Sequence, residues 1–288
     1  MLRSCSILKN NITSIAIGGF DGMHIAHKEL FKCLGKNGAI VVIETGYANL
    51  TPKIHRASHT SYPLYYYPLE DIKHLNAKEF LDLLQEEYPK LKKIVVGFDF
   101  RFGTNASYGI SDLNSIFNGE VVVVDEFSKN YIAVHSRVIR EYISSGDIKS
   151  ANLFLDKIYS ISGLHIRGQG IGAKQFVATI NIKCNDFLIP QAGIYATFTV
   201  LDNKRYKSVT FIGHRLSTDK KYAIETHILN KNIKNISSNI KIEFVEKIRN
   251  NEKFEDFDKL KKKIIEDIHK SKVILDKITL TNGDKYEK

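Results

Sequence analysis

The chain has 288 residues, 43% of them apolar and 10% aromatic, which is enough material for one large core or two ordinary ones. The opening residues, MLRSCSILKN, begin basic but hold no apolar stretch of signal-peptide length, and no run approaches the roughly 18 apolar residues of a membrane span, so a cytoplasmic protein without a membrane partner is expected. Cys5, Cys33 and Cys184 stand far apart, with no CxxC pair and no His/Cys cluster, which argues against a disulfide framework or a zinc site. A net charge of +10 favours anionic ligands; apart from Lys259 to Lys263, however, the basic residues are interspersed with acids, the pattern of a solvated surface more than of a nucleic-acid partner.

The first half alternates strand and helix patterns. SIAIGGF (Ser14 to Phe20) is a short apolar run ending in glycines, HKELFKCLG (His27 to Gly35) has helical spacing, and AIVVIE (Ala39 to Glu44) is a β-branched strand. A helix AKEFLDLLQEEY (Ala77 to Tyr88) follows, then strands KKIVVGF (Lys92 to Phe98) and EVVVVDEF (Glu120 to Phe127), then a helix SRVIREYISSG (Ser136 to Gly146) closed by glycine. This order predicts a doubly wound parallel sheet that binds ligands beyond the carboxyl ends of its strands.

After Leu155 the texture changes. KIYSISGLHI, QFVATINIK, GIYATFTVLD, YKSVTFIG, YAIETHIL and IKIEFVEKI are short alternating runs, most joined by Gly, Asn or Asp turns, as in an antiparallel barrel or sandwich. From Glu255 the spacing of Phe257, Leu260, Ile264 and Ile268 predicts one amphipathic helix packed on that domain. The expected fold is therefore α/β plus β, with a boundary between residues 1–155 and 156–288 that rests on the change of period alone.

Two stretches carry chemistry. Gly18-Gly19-Phe20-Asp21-Gly22-Met23-His24-Ile25-Ala26-His27 lies where a strand turns into a helix, so glycines let backbone approach a phosphate while the helix N-terminus offers free N–H groups. His24 and His27 fall on one side of the first turn, where both can donate to a triphosphate. The spacing equally accommodates a plain glycine turn and two surface histidines. In the second half, Gly168-Gln169-Gly170-Ile171-Gly172 can form a loop that approaches phosphate or a simple turn. Beyond it, Thr179 and Asn181 share one face of a strand with Ile180 opposite, facing either water or a ligand.

The first stretch resembles the GxFDGxHxGH motif of the bacterial bifunctional riboflavin kinase and FMN adenylyltransferase family. Val96-Gly97-Phe98-Asp99-Phe100-Arg101-Phe102-Gly103 resembles its VGxDFRFG loop, and Ser136 through Arg140 with Gly146, Asp147 and Ala151 is similar to its SSTxIRxxLxxGDxxxA helix. Gly172 to Asn181 is similar to the kinase motif GRxLGFPTAN; the segments around Pro190, Gly213 and Glu225 resemble LPxxGVYA, NIGxRP and VExHI. The likeness runs from about Ser14 to Phe254. It implies a nucleotidyltransferase-like sheet domain followed by a small kinase barrel with a C-terminal helix.

The resemblance also implies roles. FMN phosphate would attack the α-phosphorus of ATP directly, with His24 and His27 stabilising charge on the phosphates and Arg140 holding the departing pyrophosphate. Gly19, Asp21, Gly22 and Ser136 would belong to the ATP and phosphate site, as would Gly168, Gly170 and Gly172 in the kinase. Asp99, Phe100 and Arg215 would meet flavin, although Phe98, Phe100 and Phe102 alternate as core residues do, and Arg101 and Arg215 suit structural ion pairs as well. Glu225 would accept the riboflavin hydroxyl proton while Mg²⁺ near Thr179 and Asn181 neutralises the transferring phosphoryl group, and His227 would be an architectural partner on the same face.

Departures from the family pattern fall in both halves. Ala26 replaces a glycine, the PHP motif is missing after Ile43, where the chain reads ETGYANLTP, and SST becomes His135-Ser136-Arg137. In the kinase motif the proline and the internal glycine, now Phe176, are lost. They leave open a riboflavin kinase with a degenerate nucleotide-binding N-terminal domain. A non-catalytic flavin or RNA-binding regulator is a third reading, one that predicts salt-sensitive nucleic-acid binding without ATP turnover.

Overall fold

A computed structural model of the chain describes residues 9–166, 177–215, 221–231, 233, 236 and 238–282. The chain divides into two compact units, residues 1–136 and 137–288.

In the first unit, β1 (Ser14–Gly18), β2 (Gly38–Glu44), β3 (Leu64–Pro68), β4 (Lys93–Gly97) and β5 (Glu120–Val124) form a parallel sheet in the order β3-β2-β1-β4-β5. The central strands are apolar throughout because both faces are covered. Ile15, Ile17, Val41, Ile94 and Val96 enter one core with Phe80, Leu81 and Leu84 of α3 (Ala77–Glu87). The alternate residues Ala16, Ile40, Val42 and Val95 enter a second core on the other face with Leu30 and Phe31 of α1 (Ile25–Lys32). An Asn76 capping box starts α3: the Asn76 side chain accepts from Glu79 N–H, and the Glu79 carboxylate accepts from Asn76 N–H.

The strand β3, reading LYYYP, has no counterpart among the sequence expectations, because its aromatic run neither alternates nor extends past the flanking Pro63 and Pro68. It is an edge strand, where proline is tolerated. Short helices α2 (Leu69–Ile72) and α4 (Ile110–Ile116) and a two-residue hairpin, β6 (Ser128–Lys129) with β7 (Ile132–Ala133), complete this unit.

The second unit contains a closed barrel of β8 (Tyr159–Ile166), β9 (Ile180–Lys183), β10 (Gly193–Leu201), β11 (Lys204–His214), β12 (Tyr222–Ile228) and β13 (Asn239–Arg249), in the order β10-β11-β12-β9-β8-β13. Gly163 is required where β8 meets β9, since a Cβ there would stand 2.5 Å from the Lys183 carbonyl oxygen. The barrel interior is lined partly by hydroxyls: Thr197, Thr199, Ser208, Thr210 and Thr226 are fully buried and bond to one another at 2.8–3.0 Å. Tyr159, Tyr195 and Phe244 pack beside them.

Helices α5 (Ser136–Ser145) and α6 (Ile148–Leu155) group with the barrel, and Asn152 on α6 donates to the Phe244 carbonyl and accepts from Tyr159 N–H. The C-terminal helix α7 (Phe257–Asn282) packs on β10, β11 and β13, and Leu260, Ile264 and Ile268 are partly buried on the expected face. Phe257 is 57% exposed, whereas Asp267, Ser271 and Leu275 are buried. Polar anchors join that face: Arg249 donates to Asp267 at 2.7 Å and Ser271 donates to the Ser208 carbonyl at 2.8 Å.

Candidate functional sites

The sheet order 3-2-1-4-5 reverses between β1 and β4, and a crevice opens at such a switch point beyond the strands' carboxyl ends. The loop after β1 carries Gly19, Asp21, Gly22, His24 and His27; the loop after β4 carries Asp99 and Phe100. Topology thus brings the two N-terminal motifs to one place.

His24 is the N-cap of α1 and only 3% exposed. Its Nδ1 accepts a long bond, 3.4 Å, from the backbone N–H of His27, and an imidazole accepting at Nδ1 carries its proton on Nε2. The two rings stack with centroids 3.5 Å apart, and Phe20 meets His27 edge-on. The loop is strained as well as tight. Phe20 and Met23 have φ of 46° and 44°, a region that costs a non-glycine residue about 1–2 kcal/mol, and Gly22 sits at 85°. Gly19 is exposed, and a Cβ added to it would meet only the Ile43 carbonyl at 3.9 Å, so the surface beside the N-terminus of α1 is open for a ligand to approach.

Asp21 is placed differently from a phosphate contact. Its carboxylate, 7% exposed, accepts from the backbone N–H groups of Asn49, Leu50 and Thr51 at 2.9–3.2 Å, and Gly22 N–H donates to Thr51 Oγ1 at 2.8 Å. Ser136 Oγ donates to the Asp21 carbonyl at 2.8 Å. Asp21 therefore fastens the loop after β2 and Ser136, the last residue of the first unit, to the histidine loop, and an anion is in any case ill-suited to receive phosphate. In the same loop, Arg56 is fully buried and holds Glu44, the last residue of β2, at 2.5 Å.

Beyond β4, Asp99 is exposed and its carboxylate folds back over Gly97. Phe100 is half-buried and stacks on Phe102, which belongs to the core. Phe98, the first of the alternating three, is 43% exposed at the strand end, an aromatic surface that alternation alone assigned to the core. Arg140 is half-buried on α5.

On the barrel, three of the expected kinase residues converge. Strand pairing sets Asn181 on β9 directly opposite Glu225 on β12, and Arg215, just past the end of β11, reaches both. Arg215 donates from Nε and Nη2 to Glu225 Oε1 at 2.6 Å and from Nη2 to Asn181 Oδ1 at 2.7 Å. The Arg215 and Glu225 side chains are about four-fifths buried, so the pair is weakly screened by solvent. Thr179 lies two residues before Asn181 and is half-buried. His227 Nδ1 bonds the Ala178 carbonyl at 2.8 Å, the architectural part expected of it. Across β8, Ile166 pairs with Asn181 and adds an exposed apolar flank. Burial raises the Tyr222 phenol above its ordinary range, keeping it neutral beside His214. Gly168, Gly170 and Gly172 lie outside the described residues.

The riboflavin kinase (flavokinase) family model matches residues 155–275, the segment that holds this triad. A bifunctional riboflavin kinase/FMN adenylyltransferase of Buchnera aphidicola subsp. Acyrthosiphon pisum is 30% identical over 288 residues, covering 90% of this chain and 92% of that protein. The chain belongs to the bifunctional riboflavin kinase/FMN adenylyltransferase family. The protein of that name from the Schizaphis graminum subspecies is 28% identical, covering 93% of this chain and 96% of the relative. A solved structure described as a macrolide-efflux protein from Streptococcus pneumoniae superposes with a TM-score of 0.80 over 91% of this chain and 94% of its own; at 22% identity it shares the fold. Family membership makes this an enzyme of flavin cofactor biosynthesis. Among the described residues no helix is long and apolar enough to cross a membrane.

Proposed function

We propose that residues 156–288 phosphorylate riboflavin to FMN and residues 1–155 adenylylate FMN to FAD, both with ATP, in the cytoplasm where that nucleotide is abundant. The observation that carries this reading is the Asn181, Arg215 and Glu225 cluster, in which residues of β9 and β12 and the residue that follows β11 meet within 2.7 Å at one barrel face.

In the kinase half, Arg215 engages Glu225 Oε1, and the Glu225 carboxylate accepts the riboflavin 5′-hydroxyl proton. The hydroxyl oxygen attacks the γ-phosphorus, the bond from that phosphorus to the β,γ-bridging oxygen breaks, and ADP leaves. Thr179 and Asn181 offer hydroxyl and amide oxygens of the hard, neutral kind that suits Mg²⁺, and the Asn181 oxygen already faces a cation. When bound, Mg²⁺ would supply charge neutralisation at the transferring phosphoryl group.

In the adenylyltransferase half, His24 Nε2–H and the N-terminal amides of α1 stabilise charge on the triphosphate, with His27 stacked against His24 to fix its ring. A phosphate oxygen of FMN attacks the α-phosphorus and pyrophosphate departs, so no protein nucleophile is needed. Arg140 would hold the pyrophosphate, and Asp99 with the half-exposed Phe98 and Phe100 would flank the flavin or nucleotide. Asp21 and Ser136 would position the loop that meets the phosphates.

Chromatographic time courses with purified protein, ATP and Mg²⁺ test the reading. Riboflavin should yield FMN and then FAD, and supplied FMN should yield FAD. A first mixture that stops at FMN with a second that stays unchanged would leave only the kinase standing, and no turnover in either would remove both assignments.

A further inference from the structure

We propose that Arg215 is a resident cation that latches the kinase centre, occupying at Asn181 the place that a metal–nucleotide complex takes during turnover. The inference rests on the kinase reading above and adds to it a defined resting state.

The geometry excludes simultaneous occupancy. Arg215 Nη2 lies 2.7 Å from Asn181 Oδ1. A magnesium ion on the same oxygen would sit about 2.1 Å from it, so the two cations would stand within about 5 Å of each other in a partly dehydrated pocket, where like charges repel strongly. Arg215 must therefore release Asn181 before that oxygen can serve as a ligand. Its other contacts permit this: Nε and Nη2 share Glu225 Oε1 at 2.6 Å, so Nε retains the carboxylate when Nη2 swings away. Arg215 follows the end of β11, and its N–H donates to the Lys221 carbonyl at 3.0 Å, so the side chain extends from an anchored backbone.

The latch has a chemical consequence. With the guanidinium in place, the two oxygens best suited to a free divalent ion, Glu225 Oε1 and Asn181 Oδ1, are both already satisfied by positive charge. A bare ion has to compete with Arg215 for them. An ion arriving on nucleotide phosphates brings negative charge that the released guanidinium can meet, since guanidinium binds phosphate oxygens as readily as carboxylate. Arg215 thereby makes metal entry depend on nucleotide.

The test measures metal binding by the full chain without nucleotide, with Mn²⁺ as the probe and free Mn²⁺ read by electron paramagnetic resonance. Loss of one charge-assisted hydrogen bond to the competing group corresponds to roughly a tenfold change in affinity. Arg215→Ala should bind Mn²⁺ about tenfold more tightly than wild type, and the gain should vanish in the Arg215→Ala, Asn181→Ala double variant. Arg215→Lys keeps a charge but cannot span both partners, so it should show a smaller gain in the same direction. Far-UV circular dichroism verifies the fold of each variant, and FMN formation by the wild type is assayed in parallel. A wild type that makes FMN while neither single variant binds Mn²⁺ more tightly overturns the latch and leaves the kinase reading intact. A wild type that makes no FMN overturns the kinase reading and the latch with it.

Discussion

Replacing Asp21 by asparagine separates a residue that holds a loop from one that holds a ligand. The carboxylate accepts at Oδ1 from Leu50 and Thr51 and at Oδ2 from Asn49 and Leu50, all backbone N–H groups, in a place that is 7% exposed. In Asp21→Asn one of those oxygens becomes an amide NH₂. At least one backbone N–H then loses its acceptor, and the new NH₂ is buried facing donors. Each unsatisfied buried group costs about 1–3 kcal/mol, so the variant should lose about 3 kcal/mol from the first unit. For a unit of its size that lowers the melting temperature by roughly 10 °C. Because a two-unit chain does not unfold as one transition, the two activities make better reporters than a single melting curve. Aliquots heated in steps and assayed for FAD formation from FMN should lose activity about 10 °C earlier than wild type, while loss of FMN formation from riboflavin should follow the wild-type curve. A shift under about 2 °C together with a tenfold rise in KM for ATP would refute the reasoning and return the carboxylate to the ligand site.

The other expectations divide between the two centres. Glu225→Gln keeps the size of the side chain but cannot accept the hydroxyl proton, so FMN formation should fall by about 10²–10⁴-fold with FAD formation from FMN unchanged, read from the same chromatographic assay. His27→Ala removes the ring stacked on His24 and should reduce FAD formation by about 10²-fold while sparing FMN formation. Glu44→Gln leaves the guanidinium of Arg56 buried without its countercharge and should destabilise the first unit by about 3–5 kcal/mol in denaturant titration, whereas Arg56→Met, which removes the charge, should be far milder.

Most of the architecture was legible because it follows from periodicity. Double burial writes β1, β2 and β4 as unbroken apolar runs, and half-burial writes the barrel strands as alternation. What the pattern could not carry was polar pairing across long separations. Hydropathy found the stripe of α7 through Leu260, Ile264 and Ile268, but not the polar anchors on it, Asp267 meeting Arg249 and Ser271 meeting the Ser208 carbonyl. The roles of Asp21 and Arg215 are of the same kind: each depends on which backbone or side-chain group stands opposite in the folded chain. That Asn181 faces Glu225 is a matter of strand register, and only the resemblance to a family marked the two as partners. Phe98 was misjudged because β4 ends at Gly97 and the strand alternation stops with it.

The hydroxyl-lined barrel interior bears on that register. Thr226 points inward between Glu225 and His227, and its oxygen bonds to Thr199 and Thr210. An oily interior tolerates sliding, because one methyl group is much like the next. Here a slip of β12 by one residue would carry a carboxylate or an imidazole into the barrel and take from Thr199 and Thr210 the hydroxyl they share. The interior therefore works as a set of matched teeth, and the alignment of the outer face, where Asn181 meets Glu225, is enforced from the opposite side of the strand.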